Sequence, residues 1–304
     1  MSPPASEVRV AVSRRVELAV RLHLPPEPAA GAVPAPVLAV HGLASNARLW
    51  DGVAEKLAAG GHPVAAVDQR GHGRSDKPGD GYDYATLTAD LVAVLDHLGW
   101  DDPSHLPVVA GQSWGANVAV ELAARHVQRV GALVLVDGGT IELSERFADW
   151  PTCEAALAPP AISGTPFTRV ERWLRTTHPD WPAAGIEGTL ANLEKMPDGT
   201  ARPWLSRPHH MTILRHMWDH HPSGRWADLA LPVLILAAQD PGGPGGRFDA
   251  AKREEVDRAA RSLARCRVHW MDGDHDLHAQ HPAWVAKLIH DTTTGSLFPS
   301  ADRA

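Results

Sequence analysis

The sequence predicts an α/β protein built on a mostly parallel sheet. Between residues 37 and 136, short apolar runs alternate with segments whose apolar residues recur at helical spacing. Continuous apolar strands are typical of a parallel sheet that helices cover on both faces. Of the 304 residues, 44% are hydrophobic and 21% are charged, so the chain can form a sizeable core. These proportions exclude a disordered or collagen-like chain.

Two strands of a different kind come first. Residues 8–12 and 16–24 alternate apolar with polar side chains, which is typical of half-buried antiparallel strands.

A unit of strand, loop and helix then repeats three times. The predicted strands cover residues 37–40, 64–67 and 108–110, the helices cover residues 50–59, 84–98 and 114–126, and a fourth apolar strand covers residues 130–136. The loops after parallel strands meet at one edge of the sheet, where a functional site is expected.

The alternation lapses from residue 140 to residue 226. This segment contains Pro breaks and six of the eleven Trp residues, and we interpret it as a helical insertion. The strand pattern returns at residues 232–237 and 266–271, with helices at residues 250–263 and 282–290. The predicted organisation is therefore a core formed by residues 1–139 and 227–304, with the insertion at residues 140–226.

A short motif identifies a candidate nucleophile. Residues 111–115 have the sequence Gly-Gln-Ser-Trp-Gly and match G-x-S-x-G between a strand and a helix. Small residues around Ser113 permit a sharp turn that lifts its hydroxyl clear of the sheet edge. A serine hydroxyl is a weak nucleophile, so it needs a base within hydrogen-bond reach and a third group that orients the base.

Residues further along the chain can supply these groups. Asp240 follows the strand at residues 232–237, and His275 follows the strand that ends at Met271. Both are expected at the sheet edge that presents Ser113. Asp137 also ends a predicted strand and stays open as an alternative carboxylate. The histidines near His275 that stay open as alternative bases are His278 and His281.

Four ordered motifs resemble those of the α/β-hydrolase superfamily over about residues 8–290. They are His-Gly at residues 41–42, Asp-Gln-Arg-Gly-His-Gly-Arg-Ser at residues 68–75, the Ser113 turn, and Gly-Asp-His at residues 273–275 followed by His-Pro at residues 281–282. The resemblance implies an α/β-hydrolase fold, in which helices flank a mostly parallel eight-stranded sheet and the insertion forms a helical cap.

The resemblance also implies roles for individual residues. The family pattern places the catalytic histidine just after the glycine, which favours His275 as the base. It makes Ser113 the nucleophile and Asp240 the favoured acid, although some members use a carboxylate at the position of Asp137. An oxyanion hole would be formed by the backbone N–H groups of Leu43 and Trp114.

The sequence differs from the motifs of several related enzyme classes, and these differences reduce the number of reactions that it is expected to catalyse. The sequence His-Gly-Leu-Ala at residues 41–44 differs from the HGGG of some lipases and from the HGGPG of proline iminopeptidases, which argues against a peptidase. Dehalogenases and epoxide hydrolases of this fold attack through a carboxylate, so a serine at position 113 argues against both.

The predicted function is hydrolysis of a carboxylic ester or lactone through an acyl-enzyme on Ser113. The Trp-rich cap favours an apolar or aromatic small molecule as the substrate. The candidate pocket residues are His41, Trp50, Asp137, Trp150 and Trp218. Carbon–carbon bond or amide hydrolysis by the same triad remains an alternative, as does a ligand-binding receptor of the same fold.

Composition limits the partners of the chain. Its formal charge of -7 gives no global attraction to nucleic acid or to an anionic membrane. We predict a cytoplasmic protein, because no stretch approaches the ~20 apolar residues of a membrane helix and the first residues lack a signal-peptide pattern. Neither a cofactor nor a metal is expected, since Cys153 and Cys266 form no CxxC pair and no HExxH motif is present. The oligomeric state stays open.

Overall fold

The computed structural model describes residues 5–26, 34–240 and 249–298. Of Asp249 it describes the backbone only. The strands in these ranges are β1 (Ser6–Ala11), β2 (Glu17–His23), β3 (Val37–Val40), β4 (Val64–Val67), β5 (Val108–Gln112), β6 (Ala132–Val136), β7 (Leu193–Lys195), β8 (Ala201–Pro203), β9 (Val233–Gln239) and β10 (Cys266–Asp272). The α-helices are α1 (Asp51–Ala59), α2 (Tyr84–His97), α3 (Trp114–Arg125), α4 (Leu143–Arg146), α5 (Trp150–Leu157), α6 (Phe167–Thr177), α7 (Ala183–Leu190), α8 (Arg207–Trp218), α9 (Ser223–Trp226), α10 (Asp249–Ser262), α11 (Leu277–Gln280) and α12 (Pro282–Thr293).

Eight of these strands form one sheet in the order β1-β2-β4-β3-β5-β6-β9-β10. The pairings of β1 with β2 and of β2 with β4 are antiparallel, and the other pairings are parallel. The prediction of a mostly parallel eight-stranded sheet flanked by helices is therefore confirmed. Val40 pairs with both Val67 and Gly111, so the loops after β3, β4 and β5 begin at nearly the same level of the sheet.

The apolar runs of the central strands form two cores, one on each face of the sheet. Successive side chains of a strand point to opposite faces. Leu38 and Val40 accordingly pack in the core that includes helices α2 and α3, whereas Val37 and Ala39 pack in the core that includes α1 and α12. Burial on both faces explains why these strands are apolar throughout.

The elements from α4 to α9, with β7 and β8, lie between β6 and β9 in the chain. We call this segment the cap and keep its predicted bounds, residues 140–226. It is not purely helical, because β7 and β8 form an antiparallel pair. The turn between these strands contains Asp198 and Gly199, whose φ of 81° suits a glycine. The Asp198 carboxylate accepts a hydrogen bond from the Thr200 N–H at 2.9 Å and so fixes the turn.

The last helix continues to Thr293, three residues beyond the predicted end at His290. None of the helices in the described ranges is both long and apolar enough to cross a membrane.

Candidate active site

Ser113 occupies a strained turn between β5 and α3. Its φ of 53° and ψ of -123° lie in a region that L-residues rarely adopt. Side chains at the flanking glycines would collide with neighbouring backbone, because a Cβ at Gly111 would lie 2.6 Å from Cα of Ala116 and one at Gly115 would lie 2.4 Å from the His41 carbonyl oxygen. The two glycines of the motif therefore allow the turn to pack against the start of α3 and the loop after β3.

Two other strand ends in the same sheet have a similar backbone. Within the described ranges, the non-glycine residues with positive φ are Ala44, Ser113 and Asp137, with values of 59°, 53° and 45°. They follow β3, β5 and β6, which are neighbours in the sheet. Strain of this kind persists only where surrounding structure enforces it, and it concentrates at functional sites.

The loop between β10 and α11 places His275 against Asp137. His275 Nδ1 lies 2.6 Å from Asp137 Oδ2, and the Asp137 side chain is only 4% exposed. The Gln112 side-chain amide donates a hydrogen bond to the His275 carbonyl oxygen at 3.3 Å. Since Gln112 directly precedes Ser113, this bond ties the histidine loop to the serine turn.

The pair favours a charged acid and a basic imidazole. Burial acts to raise the pKa of Asp137, but the hydrogen bond and charge of His275, with smaller effects of Lys252 and the Ala238 N–H, lower it below its ordinary value. Desolvation acts to lower the pKa of His275, but the hydrogen bond and charge of Asp137 outweigh it and raise that pKa. Asp137 is thus suited to hold His275 through its Nδ1–H.

The expected pairing of His275 with Asp240 is corrected by this geometry. Strand β9 continues to Gln239, two residues beyond the predicted end at Ala237, and carries Asp240 to an exposed position past the strand. The backbone of Asp137 is still bonded to the neighbouring strand, because its N–H donates to the Leu236 carbonyl oxygen at 2.7 Å. Its side chain is therefore held close to the sheet and is buried. The carboxylate that contacts His275 is therefore the alternative one, at the end of β6.

The alternative histidine His278 lies elsewhere. It is fully buried, its ring centroid is 4.5 Å from that of Trp50, and burial lowers its pKa to about 3. His281 precedes α12, where its carbonyl oxygen accepts the Val285 N–H at 3.1 Å.

Lys252 is a site residue that the sequence analysis missed. It lies in the first turn of α10, and its Nζ donates hydrogen bonds to both carboxylate oxygens of Asp137 at 3.0 Å and to the Ala238 carbonyl oxygen at 3.1 Å. The sequence offers no signal for this contact, because α10 contains several charged residues that are equally plausible as solvated side chains.

The predicted oxyanion donors belong to two different segments, the start of α3 and the loop after β3. As the first residue of α3, Trp114 has a backbone N–H without an intrahelical acceptor. Leu43 lies in the loop after β3, which His72 supports by accepting the Ala44 N–H at Nε2 over 3.3 Å. The other nitrogen of this ring, Nδ1, donates to the Arg70 carbonyl oxygen at 3.0 Å, and burial holds the pKa of His72 well below its ordinary value. A neutral His72 therefore braces the loop.

The histidine loop also contacts the cap. Asp274, next to His275, accepts hydrogen bonds at Oδ2 from Trp181 Nε1 at 2.8 Å and from His178 Nδ1 at 2.9 Å. Both partners belong to the cap, between α6 and α7.

A cavity of about 600 Å³ lies between the loop after β3 and the cap. Its core side includes Ala44, Ser45 and Gly73. Its cap side is mostly apolar and includes Pro159, Ile162, Val170, Trp173, Leu174, Leu193, Trp204 and Leu205. A smaller cavity of about 210 Å³ is lined by Asp137, Lys252 and His275 among others.

None of the five predicted pocket residues lines the larger cavity. His41 is fully buried and braces the loop, since its Nε2 accepts the Gln69 N–H at 3.0 Å and its Nδ1 donates to the Gly42 carbonyl oxygen at 2.7 Å. Trp50 directly precedes α1 and is buried in the core that includes α1 and α12. Trp150 and Trp218 pack edge to face, with ring centroids 6.1 Å apart. The fifth, Asp137, lines the smaller cavity.

Comparison with known families gives a match over most of the chain. The model of the "Alpha/beta hydrolase family" matches residues 37–288. A "Putative non-heme haloperoxidase" of Mycobacterium phage D29 is 37% identical over 103 residues, which are 34% of this chain and 36% of the relative. "Lipase LipV" of Mycobacterium tuberculosis is 42% identical over 104 residues, which are 34% of this chain and 37% of the lipase. The matched segments thus span only about a third of these relatives.

Solved structures match over nearly the whole chain. The crystal structure of "E-2-(Acetamidomethylene)succinate Hydrolase" has a TM-score of 0.73 and 24% identity, and the match covers 95% of this chain and 99% of that one. The esterase EaEST from Exiguobacterium antarcticum has a TM-score of 0.68 and 16% identity, with 95% and 100% covered. Identities this low show a shared fold.

Proposed function

The chain belongs to the α/β-hydrolase family, and on that premise we propose that it is a serine hydrolase that cleaves a carboxylic ester or lactone. The observation that carries the proposal is the 2.6 Å hydrogen bond between His275 and Asp137, in a loop tied to the Ser113 turn. A nucleophile, a base and a group that orients the base are the three parts that acyl transfer to serine requires.

In the proposed reaction, Ser113 Oγ attacks the substrate carbonyl carbon while His275 Nε2 accepts the hydroxyl proton. Asp137 holds the imidazole through Nδ1 and stabilises its positive charge. The backbone N–H groups of Leu43 and Trp114 donate to the oxyanion. His275 then returns the proton to the leaving alcohol. Water, activated in the same way, releases the acyl group from Ser113, so the reaction consumes no cofactor.

The larger cavity supports an apolar substrate group. Its volume of about 600 Å³ falls within the usual range for small-molecule sites. The floor contains Ala44, next to the proposed oxyanion donor Leu43, and the cap side is largely aliphatic and aromatic. We therefore propose that the acyl or alcohol group of a small apolar or aromatic molecule lies here. We also propose that the protein acts in the cytoplasm and that this small molecule is its binding partner.

The names of the relatives cover several enzyme activities, including a lipase and a haloperoxidase. Another relative, "Epoxide hydrolase A" of Mycobacterium tuberculosis, is 39% identical over 99 residues, which are 32% of this chain and 30% of the relative. The serine at position 113 supports ester hydrolysis over epoxide opening, because the latter uses a carboxylate nucleophile in this fold.

The test combines covalent labelling with product release. We expect a fluorophosphonate to form an adduct on Ser113, detected by mass spectrometry of the digested protein, and we expect release of p-nitrophenol from short esters. Ser113→Ala should abolish both, whereas Ser104→Ala, in an exposed loop, should change neither.

Other outcomes would overturn the proposal. If the wild type forms an adduct but hydrolyses only amides or vinylogous ketones, the same triad serves amide or carbon–carbon bond cleavage. If neither labelling nor turnover is found although an apolar ligand binds, the protein is a receptor.

A further inference from the structure

The ammonium group of Lys252 is directed at the carboxylate that holds His275. Its Nζ lies 3.0 Å from Oδ1 and 3.0 Å from Oδ2 of Asp137, and Oδ2 is also the atom that contacts His275. A third bond to the Ala238 carbonyl oxygen fixes the ammonium at the end of β9. The Lys252 side chain is 23% exposed and Asp137 is 4% exposed, so the pair is largely shielded from solvent.

This arrangement is more than the proposed reaction requires. The orienting acid needs one oxygen for His275, and the Ala238 N–H already binds the other at 2.9 Å. Lys252 adds a full positive charge to the same two oxygens. A cation near a carboxylate stabilises the ionised acid, and a cation near an imidazole favours the neutral ring.

The other charged and titratable groups around the pair come from several elements. The charge of Asp276, on the same loop, acts to raise the pKa of His275. The charge of His275 acts in turn to lower the pKa of His278. Arg146 of α4 lines the same small cavity but is paired with Glu255 of α10 at 2.8 Å. Lys252 is thus the cation bound directly to Asp137 among the described residues.

We propose that Lys252 is a positioning residue that sets the pH range of the Ser113 site by holding the Asp137 carboxylate and offsetting its charge toward His275. The inference rests on the proposed function of Ser113. With Lys252 in place, Asp137 keeps its orientation and its ionised form, and the imidazole remains a neutral base at lower pH than it would beside an unshared carboxylate.

The direction of the effect follows from the charges. Removing the ammonium leaves Asp137 to act on His275 alone, which stabilises the imidazolium and raises the pKa of His275. Because the base must be neutral, the acidic limb of kcat/KM then moves to higher pH. We expect a shift of about 0.5–1 pH unit for the loss of one close charge.

The primary test measures His275 without relying on turnover. In a Ser113→Ala background, nitrogen-15 NMR follows the titration of His275 with and without Lys252→Met. We expect Lys252→Met to raise the pKa of His275 by about 0.5–1 unit. Lys252→Gln, which keeps a donor but loses the charge, should show the same shift if the Met variant does not fold. Lys252→Arg keeps the charge and should stay close to the wild type.

Arg253→Met is the matched control, because it removes one positive charge at the next position of α10. The Arg253 guanidinium donates to Gln239 Oε1 at 2.7 Å and lies over the Trp270 ring, and it is not among the groups that act on the pKa of Asp137. It should leave the titration of His275 unchanged. An equal shift in this control would show a general effect of net charge and would overturn the proposal.

A purely structural role gives a different pattern. If Lys252 only anchors α10, Lys252→Met lowers thermal stability, or lowers activity by the same factor at every pH, and leaves the His275 titration in place. That result overturns the inference while fluorophosphonate labelling of Ser113 in the wild type still supports the proposed function. Absence of labelling would instead count against the proposed function, whatever the titration shows.

Discussion

Asp137 is a buried carboxylate that remains ionised because three groups compensate its charge. The His275 imidazole, the Lys252 ammonium and the Ala238 N–H all contact its oxygens. A buried carboxylate without such partners would take up a proton. The end of β6 is therefore a position where a negative charge can persist and orient a histidine.

Substitution of the two candidate acids separates their roles. We expect Asp137→Asn to lower kcat by about 10⁴-fold, because an amide allows the wrong histidine tautomer. Asp240→Asn should leave kcat within about 2-fold, since its exposed carboxylate is not the partner of His275 and exposed groups contribute little. Steady-state hydrolysis of a p-nitrophenyl ester measures both. The opposite ranking would return the acid to Asp240.

The sequence allowed some of these residues to be identified and not others. The motif around Ser113 indicates one serine, whereas the residues alone leave His275, His278 and His281 open and the family resemblance favours His275. The acid was predicted wrongly, because Asp137 and Asp240 both follow apolar strands and the family resemblance favoured Asp240, whereas His275 contacts Asp137. The choice depends on how far β9 extends, and its last two residues, Ala238 and Gln239, do not continue the aliphatic run that predicts the strand.

The serine turn shows how a short connection stores strain. Ala44 and Asp137 share the positive φ, so the loop after β3 and the residues directly after β5 and β6 contain backbone that glycine would adopt more easily. Folding tolerates this because packing of α3 and the adjacent loops enforces it, as the contact of Gly115 with the His41 carbonyl shows.

Relief of this strain should be measurable as stability. We expect Ser113→Gly to be more stable than Ser113→Ala by about 1 kcal/mol, because glycine removes a Cβ penalty of about 1–3 kcal/mol and loses part of that gain to chain entropy. Both variants lack the hydroxyl, so the comparison isolates the backbone. Urea unfolding followed by circular dichroism gives the difference. An alanine variant of equal or greater stability would show that the turn is unstrained.

The regular elements of the core could be predicted because their periodicity is strong, whereas the small hairpin in the cap could not. Strands β7 and β8 have three residues each, and both contain charged side chains. Their pairing depends on the Asp198–Gly199 turn and on contacts with the cap, such as the bridge between Pro166 and Thr200. Segments this short have too few residues to show alternation.

The way the core and the cap pack together decides which side chains line the larger cavity. Aromatic residues suggested a pocket under the cap, but composition could not show which rings face it. In the structure Trp173 and Trp204 line the larger cavity, whereas Trp150 and Trp218 pack against each other. Which ring faces the cavity depends on how the cap helices lie on the core.

Substrate preference should therefore respond to Trp173. This side chain is 58% exposed, so Trp173→Ala should fold, and it should shift the preference between bulky and short esters by about 10-fold, the amount that one apolar contact can contribute. Trp150→Ala is the matched control, because its ring does not line the cavity. The ratio of kcat/KM values for the two esters measures the effect. If the wild type, Trp173→Ala and Trp150→Ala all give the same ratio, the substrate group does not lie against Trp173 in the larger cavity.

In the proposed reaction, the hydrogen bonds of Asp274 would connect the admission of substrate to proton transfer by His275. A cap that swings outward would have to break the bonds from His178 and Trp181 or draw the backbone beside His275 along with it. With the bonds broken, the histidine loop would lose one of its restraints. With the bonds kept, the moving loop would strain the contact of His275 with Asp137. If the chain is the hydrolase proposed above, the open molecule would in both cases be a poor catalyst, and hydrolysis would be confined to a substrate that the cap already encloses.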